Sequence, residues 1–238
     1  MSSPYNLKIQ DHCTDCSFRK DRPFCNMSPD AVTGMESVKF TGIYPKGALL
    51  FVEGEQPRGI FILCSGRAKL TTSSSEGKTL IAKVAGPGEI LGVSAAILGR
   101  PYELSAETLE PSQVNFIRRE DFLRLLSAYS EACMNTAHQL SEKYEAAQRD
   151  IRTLGLAQTT SEKLARLILD WCEDAEETES GTRLQVLLTH EEIAQMIGTT
   201  RETVTRLLTD FKRRKLINVK GATFMVLAKQ QMQEMVSV

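Results

Sequence analysis

Residues 188–216 read LTHEEIAQMIGTTRETVTRLLTDFKRRKL, and this stretch decides the architecture. Thr189 followed three residues later by Glu192 is a capping-box pattern, which predicts a helix start. Ile193 and Ile197 give that helix a short apolar face. Gly198 ends it, because glycine accepts the positive φ that a tight turn needs. Thr199 and Glu202 repeat the capping pattern, so a second helix begins there. Val204, Leu207, Leu208 and Phe211 share one face of it. Arg201, Glu202, Thr205, Arg206 and Thr209 share the other. Two short helices across a glycine turn read as a helix-turn-helix. Arginine can donate two parallel hydrogen bonds to guanine, and glutamate can accept from cytosine. Both residue types sit near the N-terminus of the second helix, the end that such motifs present to the major groove.

The charge distribution agrees with that reading. Net charge is −1, so global charge does not announce a nucleic-acid partner. From Arg201 to Lys220 there are seven basic residues against Glu202 and Asp210, while Asp170 to Glu179 carries six acidic residues and no basic one. The asymmetry predicts a positive field on one face of a small domain. Past the second helix, LINVKGATFMVL has two β-prone runs around Lys220-Gly221, which predicts a hairpin wing. Lys220 at its tip is suited to a phosphate. The predicted DNA-contacting set is Thr199, Thr200, Arg201, Glu202, Thr205, Arg206 and Lys220. Upstream, Ser161 is the expected cap of a helix through Leu164, Leu167, Ile168 and Trp171. The acidic stretch after it is expected to be an exposed loop.

The residues EEIAQMIGTTRETVTRLLTDFKRRKLI resemble the DNA-binding motif of Crp/Fnr transcription regulators, with Arg-Glu-Thr-Val-x-Arg at Arg201–Arg206 as the recognition-helix signature. The resemblance implies that Arg201, Glu202 and Arg206 read bases. It implies a homodimer on a palindromic double-stranded operator, closer to TGTGA than to TTGAT, with RNA polymerase as a further partner. It also implies an α+β fold: an N-terminal double-stranded β-roll, a long dimerisation helix and a C-terminal winged helix-turn-helix.

The 238 residues have room for two modest domains. Hydrophobic content of 42% and charged content of 25% are ordinary for a globular chain. No apolar run is long enough to span a membrane, and the N-terminus lacks a secretory pattern, so the expectation is a cytoplasmic protein with no membrane partner.

The expected division is an arm over 1–30, a β-roll sensor over 31–119, a dimerisation helix over 120–154 and the DNA-binding domain over 155–238. From about Lys39 to Phe116, β-prone runs alternate with glycine and proline breaks, the pattern of a barrel or jelly roll. From Cys133 onward, Ala137, Leu140, Tyr144, Ala147, Ile151 and Leu154 recur at heptad spacing, which predicts a dimer seam. Gly155 is the expected end of that helix and a hinge.

The arm holds Cys13, Cys16 and Cys25 in HCTDCSFRKDRPFC. A Cys-x-x-Cys pair in a reducing compartment reads as a metal or redox site, and thiolates suit zinc or iron–sulfur. The wording resembles the cysteine motif of Fnr-type oxygen sensors, which implies an iron–sulfur cluster. Two departures stand out. The second gap is longer than the family's, and the seat of the family's fourth cysteine aligns with Asn115. A cluster, a zinc site and an arm with incidental thiols stay open. His12, Cys64 or Cys133 would have to complete a four-ligand site, although Cys64 and Cys133 read as core residues.

In the nucleotide-binding branch of the family that the chain resembles, the phosphate cassette carries a Gly-Glu pair for the ribose and an Arg-Ser/Thr pair for the cyclic phosphate. Here Gly92-Val93 and Arg100-Pro101 occupy the matching seats, so the reading is against a cyclic nucleotide. No enzyme is expected, since His12, His138 and His190 lie outside the β region and no paired nucleophile and base occurs. The other function class is a small-molecule-binding β-roll protein with a vestigial DNA domain.

Overall fold

A computed structural model describes residues 5, 7–156, 159–173 and 175–236. It divides into two compact units, Met1–Glu145 and Ala146–Val238.

The first unit is built on two four-stranded antiparallel sheets. Helix α1 (Pro29–Val38) leads into β1 (Lys39–Tyr44), β2 (Leu49–Phe51), β3 (Gly59–Ser65), β4 (Ala68–Ser73), β5 (Thr79–Ala85) and β6 (Ile90–Leu91). Short α2 (Val93–Leu98) follows, then β7 (Ser105–Thr108) and β8 (Ser112–Arg118). The sheet orders are β1-β8-β3-β6 and β2-β7-β4-β5, the roll that the turn spacing predicted. Strand β3 shows why it closes. Successive side chains of a strand point to opposite faces, and GIFILCS is apolar on both. Phe61 and Leu63 join Phe51, Tyr102 and Val114 in the roll interior. Ile60 and Ile62 face outward into a second cluster with Val32 and Met35 of α1.

That outer cluster takes in the arm, which was expected as a separate segment. Phe24 is fully buried in it, Met27 is 6% exposed and Cys13 is buried. The arm runs through two 3-10 turns, Arg19–Asp21 and Pro23–Cys25, and is part of the core of the first unit.

The expected single helix over 120–154 is two. Helix α3 spans Arg119–Ala128 and α4 spans Ser130–Leu156, with Tyr129 between them in an extended conformation (φ −125°, ψ 106°). The Tyr129 ring lies where a side chain on Gly34 of α1 would be, 2.6 Å from that Cβ position to its hydroxyl. Docking the ring there takes Tyr129 out of helical register. Helix α4 continues through Gly155 to Leu156, so Gly155 is not the helix end that was expected.

Helix α4 has two faces. Ala132, Thr136 and Gln139 are buried. Gln139 Oε1 accepts from Ile90 N–H at 3.1 Å, its Nε2 donates to the Gly88 carbonyl at 3.0 Å, and Lys143 Nζ donates to the Ile90 carbonyl at 2.6 Å. The other face carries the predicted seam. Cys133, Ala137, Tyr144, Ala147 and Ile151 are exposed, Tyr144 at 66% and Ile151 at 69%. Leu140 is half-buried against the outer cluster. The Leu154 side chain lies outside the described residues. Cys133 is therefore not a core residue.

The second unit contains α5 (Thr160–Trp171), β9 (Glu176–Thr178), β10 (Gly181–Gln185), α6 (His190–Ile197), α7 (Arg201–Arg213), β11 (Ile217–Lys220), β12 (Thr223–Val226) and α8 (Lys229–Val236). Its sheet order is β11-β12-β10-β9. The acidic stretch is thus not a plain loop. It forms β9, which pairs with β10 from Gly181↔Thr178 to Arg183↔Glu176. The cap of α5 is Thr159 rather than Ser161, accepting from Glu162 N–H. Leu164, Ile168, Ile193, Val204, Leu208, Phe211 and Phe224 form one core, with Met232 of α8 fully buried in it.

Candidate nucleic-acid interface and cysteine-bearing arm

Helices α6 and α7 pack as the sequence pattern implies. Thr189 and Glu192 make the full capping box at the start of α6. Gly198 sits at φ 68° and ψ 44°, and its N–H bonds the Ala194 carbonyl. A side chain there would be strained by that left-handed backbone. The cap of α7 falls one residue later than expected. Thr200, not Thr199, accepts from Thr203 N–H. Thr199 donates its own N–H to the Ala194 carbonyl at 3.0 Å. The Thr200 side chain and the Thr199 N–H are thus committed to the turn.

Val204, Leu208 and Phe211 bury one side of α7. Arg201, Glu202, Thr205, Arg206 and Thr209 are exposed on the other and line one open depression. The ion pairs on this helix lie further along it, where Asp210 meets Arg213 at 2.6 Å and Arg214 at 3.7 Å. Among the described residues, Arg201, Glu202 and Arg206 are in no ion pair, so their polar ends are available. Lys220 is exposed at the end of β11, and Gly221 turns the chain into β12.

His190 was not expected here. Its Nδ1 lies 2.9 Å from Thr205 Oγ1, while that hydroxyl donates to the Arg201 carbonyl at 2.9 Å. The hydroxyl's proton is used, so His190 donates to it. Thr205 itself remains exposed on this face. Burial, Lys212 and Arg201 push the His190 pKa below its ordinary value. A histidine at the first turn of α6 carries no sequence signal for this role, because the contact spans two helices.

The cysteines of the arm are held from several sides. Cys16 N–H bonds the Cys13 carbonyl at 3.3 Å and closes the Cys-x-x-Cys turn. Glu36 of α1 accepts from the N–H groups of Cys13 and Thr14 and pairs with His12 Nδ1 at 2.7 Å. His12 is therefore engaged by Glu36. The Gln113 side chain on β8 bonds the Gln10 main chain in both directions, at 2.8 and 2.7 Å. Asn115, the seat of the family's fourth cysteine, donates to Cys13 Sγ at 3.6 Å.

Burial pushes the Cys25 and Cys64 thiols up to about 12 each and also raises the Cys13 thiol. Cys64 lies at a bulge in β3 and is half-buried. Cys172 is buried in the second unit, bonded to the Ile168 carbonyl at 3.2 Å. Among the described residues, no three His, Cys, Asp or Glu side chains are set to hold a bare metal ion.

The seats tested for a cyclic nucleotide are a buried apolar residue and an exposed Arg-Pro pair. Val93 is 4% exposed at the start of α2, and Arg100 and Pro101 are exposed after it. The roll interior is packed with rings. Phe51 stacks on Tyr102 with centroids 4.3 Å apart, and Phe61 meets Phe51 and Phe116 at 5.4 and 5.0 Å.

Comparison with known proteins agrees with this layout. The family model described as cyclic nucleotide-binding domain matches residues 42–129, and the one described as Crp-like helix-turn-helix domain matches residues 162–235. A CRP-like cAMP-activated global transcriptional regulator of Mycobacterium tuberculosis is 24% identical over 204 residues, covering 85% of this chain and 91% of that protein. The cyclic AMP receptor protein of Thermus thermophilus is 25% identical over 185 residues, covering 78% and 82%. A CooA mutant from Carboxydothermus hydrogenoformans shares the fold with a TM-score of 0.77 at 21% identity, covering 96% and 99% of the two chains. With a sensor-type roll, long helices and a capped helix-turn-helix in the order of these proteins, the chain belongs to the Crp/Fnr family of DNA-binding transcription regulators.

Proposed function

We propose that the protein binds a two-fold symmetric DNA operator as a homodimer, with α7 in the major groove and the Cys133–Leu154 seam of α4 between protomers. The observation that carries this reading is the exposed, unpaired trio Arg201, Glu202 and Arg206 on one face of a capped helix. Arg201 and Arg206 suit guanine, Glu202 suits cytosine, and Lys220 on the wing suits a phosphate. The exposed apolar stripe of α4 supports a dimer, since its opposite face is already used against the roll. The alternative of a vestigial DNA domain is not favoured, because both caps, the glycine turn and the wing are intact. RNA polymerase is the further partner of a bound dimer. A mobility-shift titration with a palindrome of TGTGA-type half-sites tests the proposal. Wild-type protein should retard it as a dimer and leave a scrambled duplex free at the same salt.

The signal we assign to the arm is an iron–sulfur cluster held by Cys13, Cys16 and Cys25, which when bound supplies a centre that oxidants can destroy. The residues fit such a group. The turn holds two thiols and Cys25 stands on the next turn; burial raises the Cys13 and Cys25 thiols, and the cations of Lys39 and Arg22 act against that rise. The ring-filled roll and the apolar Val93 seat support a protein that is not switched by a cyclic nucleotide, unlike the cAMP-activated relatives.

A further inference from the structure

Three cysteines leave a cluster one ligand short, and neither Asn115 nor His12 supplies it. Asn115 is an amide that donates to Cys13 Sγ. His12 is exposed and engaged by Glu36. The strand next to Asn115 offers a thiol. In the β3–β8 ladder Ile62 is opposite Asn115, and directly opposed residues share a face of the sheet. That face bears the arm, because Ile62 packs in the same cluster as Cys13 and Cys25. Cys64 is two residues beyond Ile62, so the strand period returns its side chain toward that face. The ladder slips between Leu63 and Ser65, leaving Cys64 as the extra residue of a bulge, a device that re-aims a side chain.

The thiols sense one another accordingly. Cys64 is the ionisable neighbour that most raises the Cys25 pKa, ahead of Cys13 and Cys16, and Cys13 is the strongest such neighbour of Cys64. Arg22 opposes the shift at both Cys25 and Cys64, and Lys39 at both Cys13 and Cys64.

We propose that Cys64 is the fourth ligand, completing with Cys13, Cys16 and Cys25 a four-thiolate seat for a [4Fe–4S] cluster against the outer face of the roll. The proposal rests on the reading that the arm holds a cluster. In a cubane each thiolate binds its own iron, so the sulfurs are held apart by the body of the cluster. Each thiol loses one proton as its iron–sulfur bond forms, and the cations of Arg22 and Lys39 are near enough to favour the resulting anionic centre. Because Cys64 belongs to a core strand, the cluster would staple the arm to the roll rather than close a loop within the arm.

The test uses full-length protein loaded anaerobically with ferrous iron and sulfide. Wild type should hold both, with visible charge-transfer absorbance. Cys64→Ser should lose iron to a chelator at least about ten-fold faster or give a three-iron paramagnetic signal, while Cys172→Ala in the second unit matches wild type. Cys64→Ser with wild-type iron, sulfide and chelator resistance, beside a colourless Cys16→Ser, would overturn the fourth-ligand assignment and leave the cluster reading intact. Wild type that takes up no sulfide would overturn both. A measurement without substitutions guards against misfolding of the variant: loading should protect Cys64 from iodoacetamide together with Cys13, Cys16 and Cys25. Equal labelling of Cys64 in loaded and metal-free protein would reject the assignment.

Discussion

Asn135 on α4 donates its side-chain amide to the Asn26 carbonyl at 3.0 Å, one residue past Cys25. The same amide lies 3.5 Å from the Phe24 carbonyl, so it brackets Cys25 on both sides. Glu131, one turn earlier, accepts from Ser28 N–H. Helix α4, which carries the proposed dimer seam, thus grips the arm beside Cys25, a proposed cluster ligand. Asn135→Ala should therefore weaken the link between cluster and DNA affinity. In a mobility-shift assay before and after exposure to air, the affinity drop seen in wild type should shrink in the variant. An unchanged drop would place the coupling elsewhere.

Arg201→Ala and Arg206→Ala should each cost roughly 1–3 kcal/mol of specific binding and relax the preference at one base position. Lys220→Ala should weaken all sequences alike and reduce the slope of affinity against salt by about one charge. Binding measured on a panel of operator variants at two salt concentrations separates these outcomes. An arginine variant with wild-type preference would reject the recognition face.

The seam is best probed at its exposed positions. Leu140 is half-buried against its own protomer, so changing it disturbs the fold as well. Tyr144 and Ile151 are mostly exposed. Tyr144→Glu with Ile151→Glu should leave each protomer folded yet place like charges across the two-fold axis. Sedimentation should show monomers, and half-site retardation should replace retardation of the full palindrome. Dimers with recognition helices about 34 Å apart are what the full site requires. A dimer that survived both glutamates would reject this seam.

The His190 pKa lies below its ordinary 6.5 in the folded protein, from burial and from Lys212 and Arg201. A depressed folded pKa means that the unfolded chain takes up the proton first. The contribution of His190 to stability is therefore full above pH 6.5 and is lost as pH falls from there through the folded pKa. Proton NMR of the imidazole should show titration below 6.5, moving up in Lys212→Ala. A His190 signal titrating at or above 6.5 would contradict the half-buried setting beside Lys212 and Arg201.

The helix-turn-helix was legible because its determinants are local. The Thr189 capping box, Gly198 and the helical spacing of Val204, Leu208 and Phe211 act within one or two turns of chain, and the structure reproduces them with a single-residue shift of the second cap. The roll was legible as alternation and turns, and the heptad stripe proposed as a seam is largely exposed on α4. What sequence could not decide was every contact between segments distant along the chain. The break at Tyr129 follows from a ring seated over Gly34, far upstream. The acidic stretch became β9 because β10 was beside it to accept its hydrogen bonds. The arm read as a separate segment, yet Phe24 and Met27 bury their apolar area in the cluster on the outward face of β3 and β8. Cys64 read as an apolar strand residue, since alternation gives a face but not what covers it. Pairing β3 with β8 set Ile62 opposite Asn115 and brought the arm over both. Local spacing specifies helices, caps and turns, whereas the partners of a half-buried side chain are chosen by where the rest of the chain finds room to pack.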